Sequence, residues 1–486
     1  MTITIAPPSS LQQSGTVADR LRRTAKTALA QIPRMQATPN MPRIAVSGTM
    51  LSIVIEFDPI QKRPRATTVV RRLARGLSIT DLFSGAGGSS LGALWAGLGR
   101  IDAYNHWPEA VAMHAVNVPG THYVADLSQM TDIIGGISGP GIGLPGHAEM
   151  FRATDLLWSS PPCPPWSQAR TAGKQSKSDV RTVEEKAAAI KKARGSMFTP
   201  LDYAYVHRPM VAITENVVPL HQWEGLRGWL TLWDDFGYDT FPVYLNSMFV
   251  GEFDRRAPQS RDRVYFVHIL KKYAKNLDLT LPLKADCFNC ARNVTAVQTW
   301  KNGRTFGKYG IQYIYTCPRC HEPVDPPTRG LDTAIDLSDL GTPIADRELG
   351  ATTLARGQAG LDRLIELGLP AQPLIVTQDR SNQPDIKPAR PWTWTGHTLT
   401  GRQVLGVITH PDLLTGSLKP ATRLPKITEC NFRMVNPKKE LPRIAGFPED
   451  YVLVGSNRDA SLATGNAVTP QVAEFLLTRA LAALPH

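Results

Sequence analysis

Along the first half of the chain, short apolar runs end repeatedly in small or polar residues. Leu77-Ser78-Ile79-Thr80 gives way to Asp81-Leu82-Phe83-Ser84-Gly85-Ala86-Gly87-Gly88, and Ile101-Asp102-Ala103-Tyr104 to Asn105-His106-Trp107. His122-Tyr123-Val124-Ala125 stops at Asp126, and Leu156-Leu157-Trp158 stops at Ser159-Ser160-Pro161-Pro162-Cys163. Met210-Val211-Ala212-Ile213-Thr214 leads into Glu215-Asn216-Val217. Such runs, mostly separated by stretches long enough for a crossover helix, predict the strands of a parallel α/β sheet. In a sheet of that kind, ligands and reactive groups gather at the carboxyl ends of the strands. The residues that close these runs are therefore expected to share one rim. Near the end of the chain, Val472, Phe475, Leu476 and Ala480 recur at helical spacing and predict a packed helix over about 470–484.

The polar positions carry the candidate chemistry. Cys163 stands between Pro161-Pro162 and Pro164-Pro165. Proline fixes φ at about −65° and removes a backbone donor, so the thiol is held where the chain can neither extend the strand nor start a helix. A rigidly held thiol suits covalent catalysis, while the plainer reading is a small buried hydrophobe in a Pro-rich loop. The glycine loop from Asp81 to Gly88 suits either a phosphate cradle or a tight strand-to-helix turn. Cys287-x-x-Cys290 and Cys317-x-x-Cys320 frame a stretch with Trp300, Tyr313 and Tyr315 at strand-like spacing. Two thiol pairs of this kind fit a tetrahedral structural zinc site in a ribbon over about 284–325. Disulfides are the alternative, but no signal peptide or long apolar span is legible, which favours a reducing cytoplasm. Cys430 has no evident partner and is expected to be structural.

Length and charge narrow the picture. A chain of 486 residues is expected to form two or three domains. Lys and Arg number 54 against 42 Asp and Glu, a net +12, of which +9 falls in residues 1–76. That basic, partly disordered N-terminal extension is either a solvated arm or a strap along nucleic-acid phosphates. The polar stretch from Ser167 to Pro200 is either a mobile loop closing over the site or an ordinary surface loop.

The glycine loop, Pro161-Pro162-Cys163, Glu215-Asn216-Val217 and Gln259-Ser260-Arg261-Asp262-Arg263 occur in this order. Gly446-Phe447-Pro448-Glu449-Asp450-Tyr451 and Gly465-Asn466-Ala467-Val468 follow. Taken together, over about 78–268 and 430–480, these segments resemble the DNA cytosine-5 methyltransferases. The resemblance implies a doubly wound, mostly parallel, Rossmann-like α/β catalytic domain at 77–270 that uses S-adenosylmethionine. It implies a smaller target-recognition domain at 271–428, which would hold the zinc ribbon, and a return to the catalytic domain at 429–486.

On this resemblance Cys163 is the nucleophile that adds to C6 of a cytosine flipped out of duplex DNA. Glu215 would bind the N3/N4 edge of the base, and Arg261 and Arg263 would hold the base and orient Glu215. Gly85 and Gly87 would admit the methionine part of the cofactor, Phe83 and Trp107 would sandwich its adenine, Asp126 would accept from the adenine amine, and Asn466 would complete the pocket. His106 departs from the pattern, because the family usually carries a glutamate there for the ribose hydroxyls. The variable region offers Arg380, Asn382, Arg390, Trp392, Trp394, His397 and Arg402 as base readers. The implied role is DNA modification or self-protection alongside a cognate restriction nuclease. The implied protein is a monomer in the cytoplasm of a bacterial or phage-infected cell, associated with the nucleoid and not with membranes. An RNA cytosine-5 methyltransferase acting on tRNA, and a non-catalytic zinc-containing DNA-binding protein, are the alternatives.

Overall fold

The computed structural model describes residues 2–5, 43–47, 50–54, 76–125, 127, 151–162, 195–378, 387–401 and 404–485. Cys163 and Asp126 lie outside them, as do Arg380, Asn382, Arg402 and most of the stretch from Ser167 to Pro200. The chain divides into two compact units. One comprises residues 1–246, 262–326 and 467–486, and the other 247–261 and 327–466.

The first unit is built on a ten-stranded sheet. In chain order its strands are β1 (Thr2–Ile5), β2 (Arg43–Ser47), β3 (Met50–Val54), β4 (Ser78–Leu82), β5 (Arg100–Asn105) and β6 (Thr121–Val124). They continue with β7 (Leu156–Ser159), β8 (Val211–Val217), β9 (Tyr238–Asn246) and β10 (Asp262–Leu270). The spatial order is β2-β3-β1-β6-β5-β4-β7-β8-β10-β9. The five runs read from the sequence are β4 to β8, and each pairs in parallel with its neighbours among them. The fold is thus mixed α/β with a large, mostly parallel central sheet. The reversed β10, and β9 beyond it running again in the direction of β8, close one side, and β1 to β3, from within the first 76 residues, extend the other.

A central parallel strand is covered on both faces, so its residues are buried without alternation. All five residues of β4 and all four of β7 are buried. Polar members of β4 survive there because each has a partner. Ser78 Oγ donates to Asp155 Oδ2 (2.7 Å), and Thr80 Oγ1 meets the Tyr203 hydroxyl (3.0 Å).

Helices α1 (Gly88–Ala96), α2 (Pro108–Asn117), α3 (Thr199–His207) and α4 (Leu226–Asp235) belong to this unit. The helix expected near the end of the chain forms over Pro470–Ala483 and packs on α1. Gly92 makes the approach possible, since a Cβ there would fall 2.5 Å from both Ala473 Cβ and Pro470 O. Val472, Leu476 and Ala480 are buried as their spacing predicts. Phe475 is only half-buried, under the Arg479 guanidinium, and Leu477 fills the core instead.

A three-stranded ribbon, β11 (Leu283–Cys287), β12 (Arg292–Trp300) and β13 (Tyr313–Thr316), carries both cysteine pairs. It groups with the large sheet and not with residues 327–466. The physical link is to the edge strand β9. Gln298 Nε2 donates to Tyr244 O (3.0 Å), and the Tyr244 and Trp300 rings meet edge-on at 5.5 Å. Residues 467–486 likewise group with the large sheet.

The second unit has its own five-stranded sheet, ordered 342–343, 431–434, 404–409, 374–378 and 390–391. Helix α5 (Ala351–Glu366) packs on it through Leu361 and Leu364, against Leu374, Val376, Ile408 and Phe432. Buried Arg433 forms a two-pronged pair with Glu440, with both bonds at 2.8 Å. Among the described residues, no helix is long and apolar enough to cross a membrane.

Candidate active site

Parallel pairing puts the carboxyl ends of β4, β5, β6, β7 and β8 side by side, with Leu82 beside both Tyr104 and Ser159, and Ser159 beside Thr214. The loop after β4 turns back sharply. Phe83 (φ 60°), Gly85 (φ 51°) and Gly87 (φ 91°) all lie in the left-handed region. A phenylalanine there costs of order 1–3 kcal/mol. The bends are held by Ser84 N donating to Tyr104 O (3.0 Å) and Gly87 N donating to Ser84 O (2.9 Å). A Cβ placed on Gly85 would meet only Phe83 O, at 3.9 Å, so the loop leaves room beside this residue.

Asp81, buried beneath the loop, accepts from the hydroxyls of Ser89 and Ser90, both at 2.6 Å, in the first turn of α1. Burial pushes its carboxyl up to about 7, against the pull of those hydroxyls. On the next strand end, Trp107 N donates to Asn105 Oδ1 (2.9 Å). Trp107 is half-buried, and His106 is exposed.

Glu215 lies in β8 and is 9% exposed. Arg263 Nε reaches its Oε1 at 3.0 Å. Tyr265 is the direct partner of Glu215 across the strands, so Arg263, two residues along β10, occupies the diagonal position on the same face. A charge-assisted bond of this kind contributes about 1.5–3 kcal/mol and fixes the carboxylate's direction.

The neighbouring Asn216 belongs to the Glu215-Asn216-Val217 segment, where the sequence reading gives it no role. Its Nδ2 donates to Pro161 O (3.3 Å) and to Met197 Sδ (3.4 Å), and so ties β8 to the loop that leads into Cys163. The available signal was its position, an amide directly after the candidate carboxylate at a strand's end.

Arg261, the other arginine of that segment, stands just before β10. It is 5% exposed, belongs to the second unit, and donates through Nη1 to Leu399 O (3.3 Å) and Gly465 O (3.1 Å). The strand begins only at Asp262, so strand alternation does not govern Arg261. Asn466 is exposed at the end of a helix in that same second unit.

The four cysteines converge. Their sulfurs all lie within 4.8 Å of one another, with Cys287 Sγ to Cys320 Sγ at 3.5 Å and Cys290 Sγ to Cys317 Sγ at 4.0 Å. A tetrahedron with Zn–S bonds of about 2.3 Å has edges near ~3.8 Å. Two backbone amides also aim at sulfur, Cys290 N at Cys287 Sγ and Arg319 N at Cys317 Sγ, both 3.4 Å. The Glu322 backbone N–H holds the Cys320 thiol down at about 6, while contact with the Cys320 sulfur pushes Cys290 up to about 12.

Comparison with known proteins agrees with the motifs. Residues 77–306 match the family model of the C-5 cytosine-specific DNA methylases, and this part of the chain is a domain of that family. The type II methyltransferase M.HindV of Haemophilus influenzae is 26% identical over 213 residues. That match spans 43% of this chain and 58% of the relative, under two thirds of its length. Among solved structures, the Entamoeba histolytica methyltransferase EhMeth aligns over 83% of this chain and 97% of its own, at 13% identity and a TM-score of 0.42. The S. pombe Dnmt2 methyltransferase aligns over 83% and 98%, at 12% identity and a TM-score of 0.43.

Proposed function

We propose that the chain methylates C5 of cytosine in duplex DNA. The observation that carries this reading is the Glu215–Arg263 pair at the rim of a parallel sheet, inside the stretch that matches the C-5 cytosine-specific DNA methylases. Glu215, held by Arg263, would grip the N3/N4 edge of an extruded cytosine and favour a proton at N3. That draws electron density from the ring and opens C6 to attack. The Cys163 thiolate would form a bond to C6, and the displaced electron pair makes C5 nucleophilic. After C5 is methylated, a base takes its proton, the C5–C6 double bond re-forms and the Cys163–C6 bond breaks. Extruding the base costs a few kcal/mol, which contacts to the flipped cytosine must offset.

S-adenosylmethionine, when bound, supplies the electrophilic methyl group. The room beside Gly85 and the left-handed turns at Phe83, Gly85 and Gly87 suit close approach of its methionine part to backbone. Phe83 and Trp107 would enclose the adenine, Asp126 its amine, and Asn466 a remaining edge. His106 can offer the ribose a single hydrogen bond where a carboxylate would offer two. Arg261, bonded to the Gly465 carbonyl, would brace the segment that carries Asn466. Cys287, Cys290, Cys317 and Cys320 would hold a structural zinc ion, for which their sulfur spacing is suitable. The biological setting would be DNA modification or self-protection beside a restriction nuclease.

Tritiated S-adenosylmethionine offered with duplex DNA or with tRNA tests the reading. Label is expected in DNA, and label confined to tRNA would replace DNA by RNA as substrate. Glu215→Gln should slow transfer by about 10²–10⁴-fold, the usual range for lost acid–base assistance. DNA carrying 5-fluorocytosine should trap the parent chain covalently and leave Cys163→Ser free.

A further inference from the structure

The ribbon carries a feature that the proposed chemistry leaves unused. Residues 301–312, between β12 and β13, include Lys301, Arg304 and Lys308 and no acidic residue. Residues 77–486 together carry only +3, since +9 of the +12 lies in residues 1–76, and within this loop the three cations have no acidic residue to offset them. The loop is firmly shaped. Asn302, Gly303, Gly307 and Gly310 take positive φ, Lys301 N donates to Gln312 O (2.8 Å), and Lys308 N donates to Gln312 Oε1 (2.7 Å). Its own hydrogen bonds hold its conformation, which lowers the ordering cost of binding a ligand.

Two inward contacts fix where the loop stands. The Phe306 ring packs on His221 at 4.1 Å, in the turn that directly follows β8 and Glu215. Tyr309 N donates to Asp262 Oδ1 (2.9 Å), the residue immediately before Arg263. The aromatic residues thus anchor the loop at the sheet end that bears the Glu215–Arg263 pair, while Arg304 and Lys308 remain exposed.

We propose that this loop grips the phosphate backbone of the DNA strand whose cytosine enters the site. This rests on the cytosine-methyltransferase reading and adds to it a phosphate-binding element outside the methylase motifs. Phosphate contacts position a protein on DNA and carry no sequence information themselves. The ribbon would therefore set the register between backbone and site, leaving base reading to other residues.

The test compares three full-length chains in duplex-DNA binding across a salt series: the parent, Arg304→Gln/Lys308→Gln, and Lys272→Gln/Lys275→Gln. The last pair removes equal charge beyond Leu270, at the opposite end of β10 from Asp262. Each lost phosphate contact lowers the slope of log K against log salt by about 0.9. The loop variant should therefore be shallower than the parent by about 1.8, which is roughly a 12-fold smaller loss of affinity over a fourfold rise in salt. The Lys272/Lys275 variant should keep the parental slope. A parental slope in the loop variant, or an equal drop in both variants, overturns the proposal. If the parent still labels DNA from tritiated cofactor, only the loop assignment has failed. A parent that neither binds nor labels DNA removes the methyltransferase reading as well.

Discussion

Because β8 and β10 run antiparallel with Glu215 opposite Tyr265, a residue two places along the partner strand shares its face, and that residue is Arg263. The motif Gln-x-Arg-x-Arg named both arginines but could not divide their work. Alternation holds only within the strand, and the strand starts between them. The glycine loop, the Pro-Pro-Cys segment and Glu215 were legible because each interrupts an apolar run. Asn216 was not, since its role depends on a bond to Pro161, 55 residues earlier in the chain. Asp202, on α3, makes a separate prediction. It is 6% exposed, and burial pushes its carboxyl up to about 7. An unfolded aspartate titrates at about 3.9. Between these values the folded chain binds more protons than the unfolded one, so this group's contribution to stability falls as pH rises through about 4 to 7. Asp202→Asn removes that penalty. Thermal melting should show the variant more stable than the parent at pH 8, by up to a few kcal/mol, with the gain shrinking towards pH 5. An equal gain at both pH values would refute the ionisation argument.

At the scale of elements, strands β4 to β8 were readable because their apolar residues are clustered in short runs that end abruptly. The ribbon's cysteine spacing was readable too. Its attachment to β9 was not, because it rests on Gln298, Trp300 and Tyr244, and no periodicity announces which edge a hairpin will choose. In the terminal helix, spacing gave Val472, Leu476 and Ala480 of the buried face but not Ala473, Leu477 or Leu481, which are buried as fully. Phe475 is only half-buried, with the Arg479 guanidinium over its ring at 5.5 Å. The ribbon's buried apolar side chains are few and mostly small, chiefly Leu283, Ala285, Val294, Ala296, Tyr313 and Tyr315, so a metal is expected to supply much of its stability. Elemental analysis of the purified chain should find one zinc per molecule. Stripping it with a chelator, or changing Cys290→Ser, should expose residues 283–320 to protease while β4 to β8 remain protected. A metal-free chain with an intact, protease-resistant ribbon would argue against zinc.

The whole molecule is assembled from separated pieces of chain, three for the sheet unit and two for the other. Neither unit can be obtained by a single cut, and the strongest dependence is on the last twenty residues. Val472, Leu476, Leu477 and Leu481 are all fully buried. At about 1.5–3 kcal/mol for each such side chain, their loss approaches the 5–15 kcal/mol that holds a typical domain together. A chain ending at Asn466 should therefore lose more helix in circular dichroism than its missing fourteen helical residues explain. A parental melting temperature in that truncated chain would contradict the argument. The same arrangement bears on how the protein is made. Helix α1 leaves the ribosome well before its partner, because the surface that seals it is encoded 374 residues downstream of Ala96, at Pro470. At translation speeds of about 5–20 residues per second, the nascent sheet waits roughly 20 to 75 seconds with that face bare. Its apolar residues are then open to chaperones, or to a neighbouring polysome product, for as long as synthesis lasts.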